Sequence, residues 1–190
     1  PVLKKEILNR HDTLLKMRVN MGIVVVSGPD SGDGEKKSLV DMENKTIICI
    51  NEGALCDASV YIRLRADVLY AMKKKSENAV VKKNLALAMG SLSETKNYIQ
   101  ACKKLLTTID NKDAGERIRQ AEKRYTESSE VYSLAAGEYD RGMLHNSMQH
   151  VRYCIGENQV TLSLLKSVSN SIHVAASGVK PSTVRHYLKE

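Results

Sequence analysis

Glycines, lysines and a serine follow a β-branched run in Gly22–Val40, GIVVVSGPDSGDGEKKSLV, and together they suggest a phosphate-binding loop. Such a loop requires Gly-x-x-x-x-Gly-Lys-Ser/Thr, because backbone N–H groups wrap the phosphates while the lysine and hydroxyl reach the terminal phosphate and Mg²⁺. Here Lys37-Ser38 is preceded by Lys36 instead of glycine, and Gly28, Gly32 and Gly34 miss the required spacing. Asp30, Asp33 and Glu35 would also set negative charge against an anion. The segment reads as a polar loop joining two short strands, on the turn chemistry of Gly, Pro, Asp and Ser.

His145 and His150 are five residues apart, which is about 140° around a helix, so they cannot share a metal as an i, i+4 pair would. His150 and Cys154 do have that spacing and could offer two zinc ligands or a Cys-His nucleophile pair. Neither arrangement has further ligands or an orienting carboxylate at a recognisable spacing. A helix face packed beside a thiol or disulfide accounts for the pair better. No Gly-x-Ser-x-Gly elbow and no His-Glu-x-x-His occurs. Enzymatic activity is not expected, and no cofactor or metal is assigned.

The four cysteines carry more information. Cys49 and Cys56 flank a short turn, at a spacing that suits a local bridge and not a Cys-x-x-Cys zinc knuckle. Cys102 and Cys154 fall on separate predicted helices. Four cysteines allow three pairings, and sequence does not choose among them. In an oxidising compartment the expectation is Cys49–Cys56 with Cys102–Cys154, each bridge contributing ~2–4 kcal/mol; in a reducing one all four are thiols.

The formal net charge is +7, so polyanions enter as partners. The densest basic stretch holds Arg63, Arg65, Lys73, Lys74, Lys75, Lys82 and Lys83, the candidate partner-binding residues. No RNA-binding or helix-turn-helix signature accompanies them, and a solvated helix face is the plainer reading. The chain has eight Tyr but no Phe or Trp, which suits packed aliphatic helices and not base stacking. The apolar run Ile23–Val26 is far short of the ~20 residues a membrane span needs. Asn44-Lys45-Thr46 is a glycosylation sequon, with Asn44 its acceptor. The chain begins at Pro1, so a leader could precede it.

The elements that must position these residues are mostly helical. Leu3, Ile7, Leu14, Leu15 and Val19 predict a short amphipathic helix, and β-like runs follow at Gly22–Ser27 and Thr46–Ile50. Beyond Asp57, placed as an N-cap, Tyr61, Leu64, Val68 and Met72 step by three and four. Val81, Leu85, Ala88, Leu92 and Ile99 predict a second helix ending near Leu106. Ile118, Ala121, Tyr125, Tyr132 and Ala135 form a third stripe, and Gly137 and Gly142 bracket a break. Leu144, Met148, Val151 and Ile155 make a fourth stripe, and Val160, Leu164, Val168, Ile172 and Ala175 a fifth. The fold class is therefore mainly α: an up-and-down antiparallel bundle of four or five helices, with an N-terminal segment containing two β-like strands. Residues 1–45 form an N-terminal extension, and 46–190 the bundle domain.

The helical region resembles the plant pectin methylesterase inhibitor and invertase inhibitor family. The likeness rests on ICINEGALC (Ile48–Cys56), LALAMGSLSETKNYIQACKKLL (Leu85–Leu106), the Ala121–Asn158 stretch with Tyr125, Gly137-Glu138-Tyr139 and Cys154, and LSLLKSVSNSIHVAAS (Leu162–Ser177). It implies a four-helix bundle with a cysteine-clasped N-terminal hairpin and a second bridge between bundle helices. Ala121 stands where that family has its third cysteine, so the second bridge is lost or uses Cys102. The invertase inhibitors use a Pro-Lys-Phe element, and this chain has no Phe. The function implied is non-enzymatic inhibition of a cell-wall pectin methylesterase by steric exclusion of pectin, in the extracellular space.

Two other classes fit the same sequence. An intracellular or viral helical scaffold, self-associating in one form, would keep its cysteines reduced in the cytoplasm. A basic helical nucleic-acid binder would bind heparin with a steep salt dependence.

Overall fold

The computed structural model describes residues 2–23, 34–108 and 111–177. Among these, five helices occur and no strand: α1 (Val2–Asn20), α2 (Gly34–Glu52), α3 (Leu55–Leu106), α4 (Lys112–Asp140) and α5 (Leu144–Ala176). The chain divides into two compact units, residues 1–77 and 78–190, so the boundary falls within α3 and not at 45/46.

Each unit is built from three helical segments whose buried positions alternate by three and four residues. In the first unit these are Ile7, His11 and Leu14 on α1, Leu39, Met42, Thr46 and Ile50 on α2, and Ala58, Ile62, Arg65 and Leu69 on α3. In the second they are Val81 to Cys102 on α3, Ala114 to Glu138 on α4, and Ser147 to Ile172 on α5, all at the same alternation. A 3.5-residue average keeps one seam of each helix facing its neighbours, which is knobs-into-holes packing. The helical-bundle expectation therefore holds within each unit.

Several local expectations are corrected. Thr46–Ile50, read as a strand, lies in α2. The β-branched run is tolerated because the Thr46 hydroxyl donates to the Met42 carbonyl at 2.6 Å, one turn back, and Thr46 and Ile50 both face the core. Of the run Gly22–Ser27, Gly22 is a turn and Ile23 is irregular, while 24–27 lie outside the described residues, as does most of the polar loop. Its C-terminal part, from Gly34, is the first turns of α2. The helices predicted to end near Met72 and begin near Val81 are one continuous helix, and so are those on either side of Gly156. Helix α3 begins at Leu55, so Asp57 lies in its first turn instead of capping it. Leu64, placed in the core, is 45% exposed, because the seam runs through Ile62 and Arg65.

Helix ends follow local chemistry. Asn111 caps α4, its side-chain oxygen accepting from Ala114 N–H at 3.0 Å. At the other end Gly142 takes φ +75°, and Met143 N–H bonds back to the Glu138 carbonyl at 2.9 Å, a glycine-stopped terminus. Gly22 ends α1 the same way, at φ +67°, and delivers Ile23 into the core at 7% exposure.

Residues 73–80 of α3 are all exposed, so no buried side chain continues the seam there. Leu69 in the first unit and Leu165 in the second are 1% and 0% exposed. Leu→Ala at either site should cost ~2–5 kcal/mol. Because each unit has its own core, scanning calorimetry should show Leu69→Ala lowering one transition and Leu165→Ala lowering another. A single transition moved equally by both would contradict separate cores.

Candidate functional site

The most concentrated polar chemistry lies inside the first unit. Arg65, counted above among candidate surface residues, is 1% exposed. Its α3 position completes the 58–62–65–69 seam, so the helix carries it inward with its apolar neighbours. Nη1 lies 2.8 Å from His11 Nδ1 on α1, and Nη2 lies 3.4 Å from Glu43 Oε2 on α2. The same carboxylate oxygen lies 3.2 Å from Arg18 Nε, and Arg18 Nη1 donates to the Ile23 carbonyl at 3.1 Å. Arg65 Nη2, Arg18 Nε and Glu43 Oε2 have no aligned hydrogen bond. The pull between these atoms is therefore Coulombic, while Arg18 Nη2 donates to the other Glu43 oxygen, Oε1, at 3.5 Å.

His11 is the neutral acceptor of this cluster. Burial lowers its pKa, the Arg65 guanidinium lowers it further, and Glu43 and Asp12 oppose that less strongly. Arg65 is itself pulled down, by burial first and by Arg18 second, against the attraction of Glu43. Protonating His11 would remove the acceptor of Arg65 Nη1 and set two cations face to face.

In the second unit, a polar layer crosses the seam. The Thr95 hydroxyl lies 3.4 Å from Asn158 Oδ1, Asn158 Nδ2 donates to Cys154 Sγ at 3.4 Å, and the Cys154 thiol donates to the Ser128 carbonyl at 3.4 Å. Thr95, Cys154 and Asn158 are wholly buried. His150 turns away from Cys154 to Glu138, its Nδ1 2.7 Å from Oε2. The i, i+4 pair considered for zinc or nucleophilic chemistry is thus split between two different partners. Ser147, one turn before His150, is wholly buried with an unpartnered hydroxyl. Glu138 and His150 form the one carboxylate–imidazole dyad among the described residues, with His150 about one-third exposed.

All four cysteines are free thiols. Cys102 lies at the level of Leu165, its Sγ 3.6 Å from that carbonyl. Leu165 stands eleven residues beyond Cys154 on α5, ~16 Å along the axis. A disulfide requires α-carbons within about 7 Å. The expected Cys102–Cys154 bridge is therefore corrected: each thiol bonds separately to a backbone carbonyl. Burial raises the pKa of both, with Asn158 opposing this at Cys154. Cys49 is half-buried at the end of α2, and Cys56 is exposed in the first turn of α3.

The other sequence candidates are surface groups. Arg63, Lys74, Lys75, Lys82 and Lys83 are exposed, and Lys73 lies 3.8 Å from Glu77. Asn44 is exposed in mid-helix, whereas Thr46 of the same sequon is buried and bonded to Met42. No group of three or more potential metal ligands occurs among the described residues. No helix among them is long and apolar enough to cross a membrane.

The buried roles of Arg65, Glu43 and His11 escaped the sequence reading. The available signal was periodic: His11 lies four residues after Ile7, and Arg65 lies midway between Ile62 and Leu69. No protein family profile, curated protein or solved structure matches this chain.

Two measurements test this geometry. His11 has a depressed folded-state pKa, so its contribution to stability is full above the unfolded value of about 6.5 and is lost as pH falls through and below it. Thermal melts of the first unit should weaken below that pH, and His11→Gln should flatten the dependence; an unchanged profile would refute the assignment. Glu43→Gln, which leaves Arg65 buried without its counter-charge, should cost ~3–5 kcal/mol. Separately, a thiol reagent at pH 8 should label Cys56 first, with Cys102 and Cys154 reacting only after denaturation, giving four thiols in all.

Proposed function

We propose that this chain is a non-catalytic binding protein that recognises another protein through its helix faces. One observation carries the reading: the titratable and nucleophilic groups that cluster, Arg65 with Glu43 and His11, and Cys154 with Asn158, hold helices together inside the cores, while His150, about one-third exposed, bonds to the buried Glu138. Cys154 and Ser147 are 0% exposed, Arg65 is 1% and Glu138 is 6%. A reacting group must reach its substrate within hydrogen-bond range, and a closed heptad core admits none. Meanwhile Val80, Leu87 and Met89 on α3, Leu134 on α4, and Tyr153 and Val160 on α5 stand at 46–62% exposure, apolar surface of the kind that partners cover.

A pectin methylesterase is the partner that the family resemblance implies, and occlusion of its cleft by a helix face is the mechanism that follows. The separation of Cys102 from Cys154 counts against the second bridge of that resemblance. The general reading of a binding protein therefore has more support than the named target. A polyanion is the second reading, supported by the net charge of +7, the exposed Lys74 and Lys75 in the first unit's part of α3, and the exposed Lys82 and Lys83 in the second unit's part.

Three assays decide between these classes. Chromogenic carboxylic and phosphoric esters should show no turnover above buffer; turnover abolished by His150→Gln would overturn the non-catalytic reading. Titration against a plant pectin methylesterase at micromolar excess tests the named target, and unchanged esterase activity would remove it. Retention on heparin with a steep salt dependence, lost in a Lys74/Lys75/Lys82/Lys83→Gln variant, would favour the polyanion reading.

A further inference from the structure

Within the first unit, α1 and α3 leave an open cleft of about 580 Å³ that the core does not fill. Its floor is apolar: Leu14 and Ile62 are 7% and 5% exposed, and Ala66 between the turns of α3 carries only a methyl group. Its rims are basic, with Arg10 on α1 and Arg63 on α3. Arg10 lies 2.9 Å from Glu6 on its own helix, whereas Arg63 makes no hydrogen bond or ion pair with any residue of the chain among those described. Ser59 and the exposed Tyr70 lie at the two ends of the α3 wall, so the cleft follows that helix for eleven residues, ~16 Å.

A trough of that length between two helices matches a rod better than a compact molecule. Two helices with a small residue midway let a further helix approach closely and bury an apolar stripe. Basic rims above an apolar floor call for the complementary pattern: apolar residues three and four apart, flanked by carboxylates. The Arg63 guanidinium is then an anchor available to a bidentate carboxylate, since no partner among the described residues competes for it.

We propose that this cleft seats an acidic amphipathic helix of a partner protein, which completes a four-helix arrangement with α1, α2 and α3. The proposal rests on the reading of the chain as a protein binder and names the site and chemistry of that binding. It assigns to Arg63 the anchoring role that the sequence had spread over the whole basic stretch.

The test uses the full chain, immobilised, against a phage-displayed library of random 16-residue peptides. The expected enrichment is acidic sequences with Leu, Ile or Met at helical spacing. Fluorescence anisotropy of a synthesised winner should show Arg63→Glu weakening Kd at least tenfold. A peptide with Lys at its acidic positions should bind Arg63→Glu better than it binds the native chain, a rescue that a merely misfolded variant could not give. Circular dichroism and the melting temperature of Arg63→Glu should match the native chain, since Arg63 is exposed and makes no hydrogen bond or ion pair among the described residues. Enriched peptides that ignore Arg63→Glu would overturn the cleft while leaving the protein-binding reading in place. No enrichment at all would overturn both. Enrichment only of apolar or basic peptides, or a double-stranded DNA oligonucleotide that binds through Arg63 where no acidic peptide does, would overturn the occupant named here.

Discussion

A guanidinium cannot leave water without a counter-charge, and the first unit is organised around that requirement at Arg65. Its side chain is 1% exposed and reaches two other helices, taking His11 from α1 and Glu43 from α2. A buried ion cluster contributes little net stability against a well-packed apolar substitute, because desolvation offsets most of the attraction. Its effect here is on register. A slip of α2 by one residue would turn Glu43 away from both Arg65 and Arg18, stranding two cations, whereas an all-leucine seam would accept the slip at small cost. The contacts to the shared Glu43 oxygen are not aligned hydrogen bonds. The cluster therefore depends on the packing of its helices, whose apolar core includes Leu39, Ile62 and Leu69.

The second unit meets the same problem of register with neutral groups. Thr95, Asn158, Cys154 and the Ser128 carbonyl cross its seam as a hydrogen-bonded line, with aliphatic clusters above and below. The Ser128 and Ser147 hydroxyls are buried without partners, a cost that an alanine would avoid. Charge locks the first unit, whereas amide and thiol bonds together with the Glu138–His150 contact lock the second. Reagents that attack thiols meet little in either core except Cys102 and Cys154, both buried.

Much of the architecture could be read from periodicity, because a helix that buries one stripe must repeat at three and four residues. Val81–Ile99, Ile118–Ala135 and Leu164–Ile172 stood out for that reason, and so did the stop at Gly142, whereas Val160, read into the last stripe, is 53% exposed. What misled was composition taken without period. Thr46-Ile-Ile-Cys-Ile50 is strand-like residue by residue, but Leu39, Met42, Thr46 and Ile50 carry the helical repeat. The two C-terminal stripes, read as separate helices, are one. Gly156 lies within α5 at little cost, since its neighbours hold the seam. The charged core residues were illegible for a different reason: Arg65 looks like any member of a basic run until Ile62 and Leu69 fix which way the helix faces. The cleft beside Arg63 could not be read at all, because it arises from the approach of α1 to residues more than forty positions away.

The stop at Gly142 has a kinetic consequence. Only Arg141, Gly142 and Met143 separate α4 from α5, and the two helices run back along one another over nearly their whole lengths. Closing so small a loop takes tens of nanoseconds and little chain entropy. The α4–α5 hairpin is thus a natural nucleus, onto which the later part of α3 condenses. During synthesis on a ribosome, however, α3 emerges before either of its partners. Its Val81–Cys102 stripe must wait uncovered until the hairpin exists, which makes that stretch the natural foothold for a chaperone.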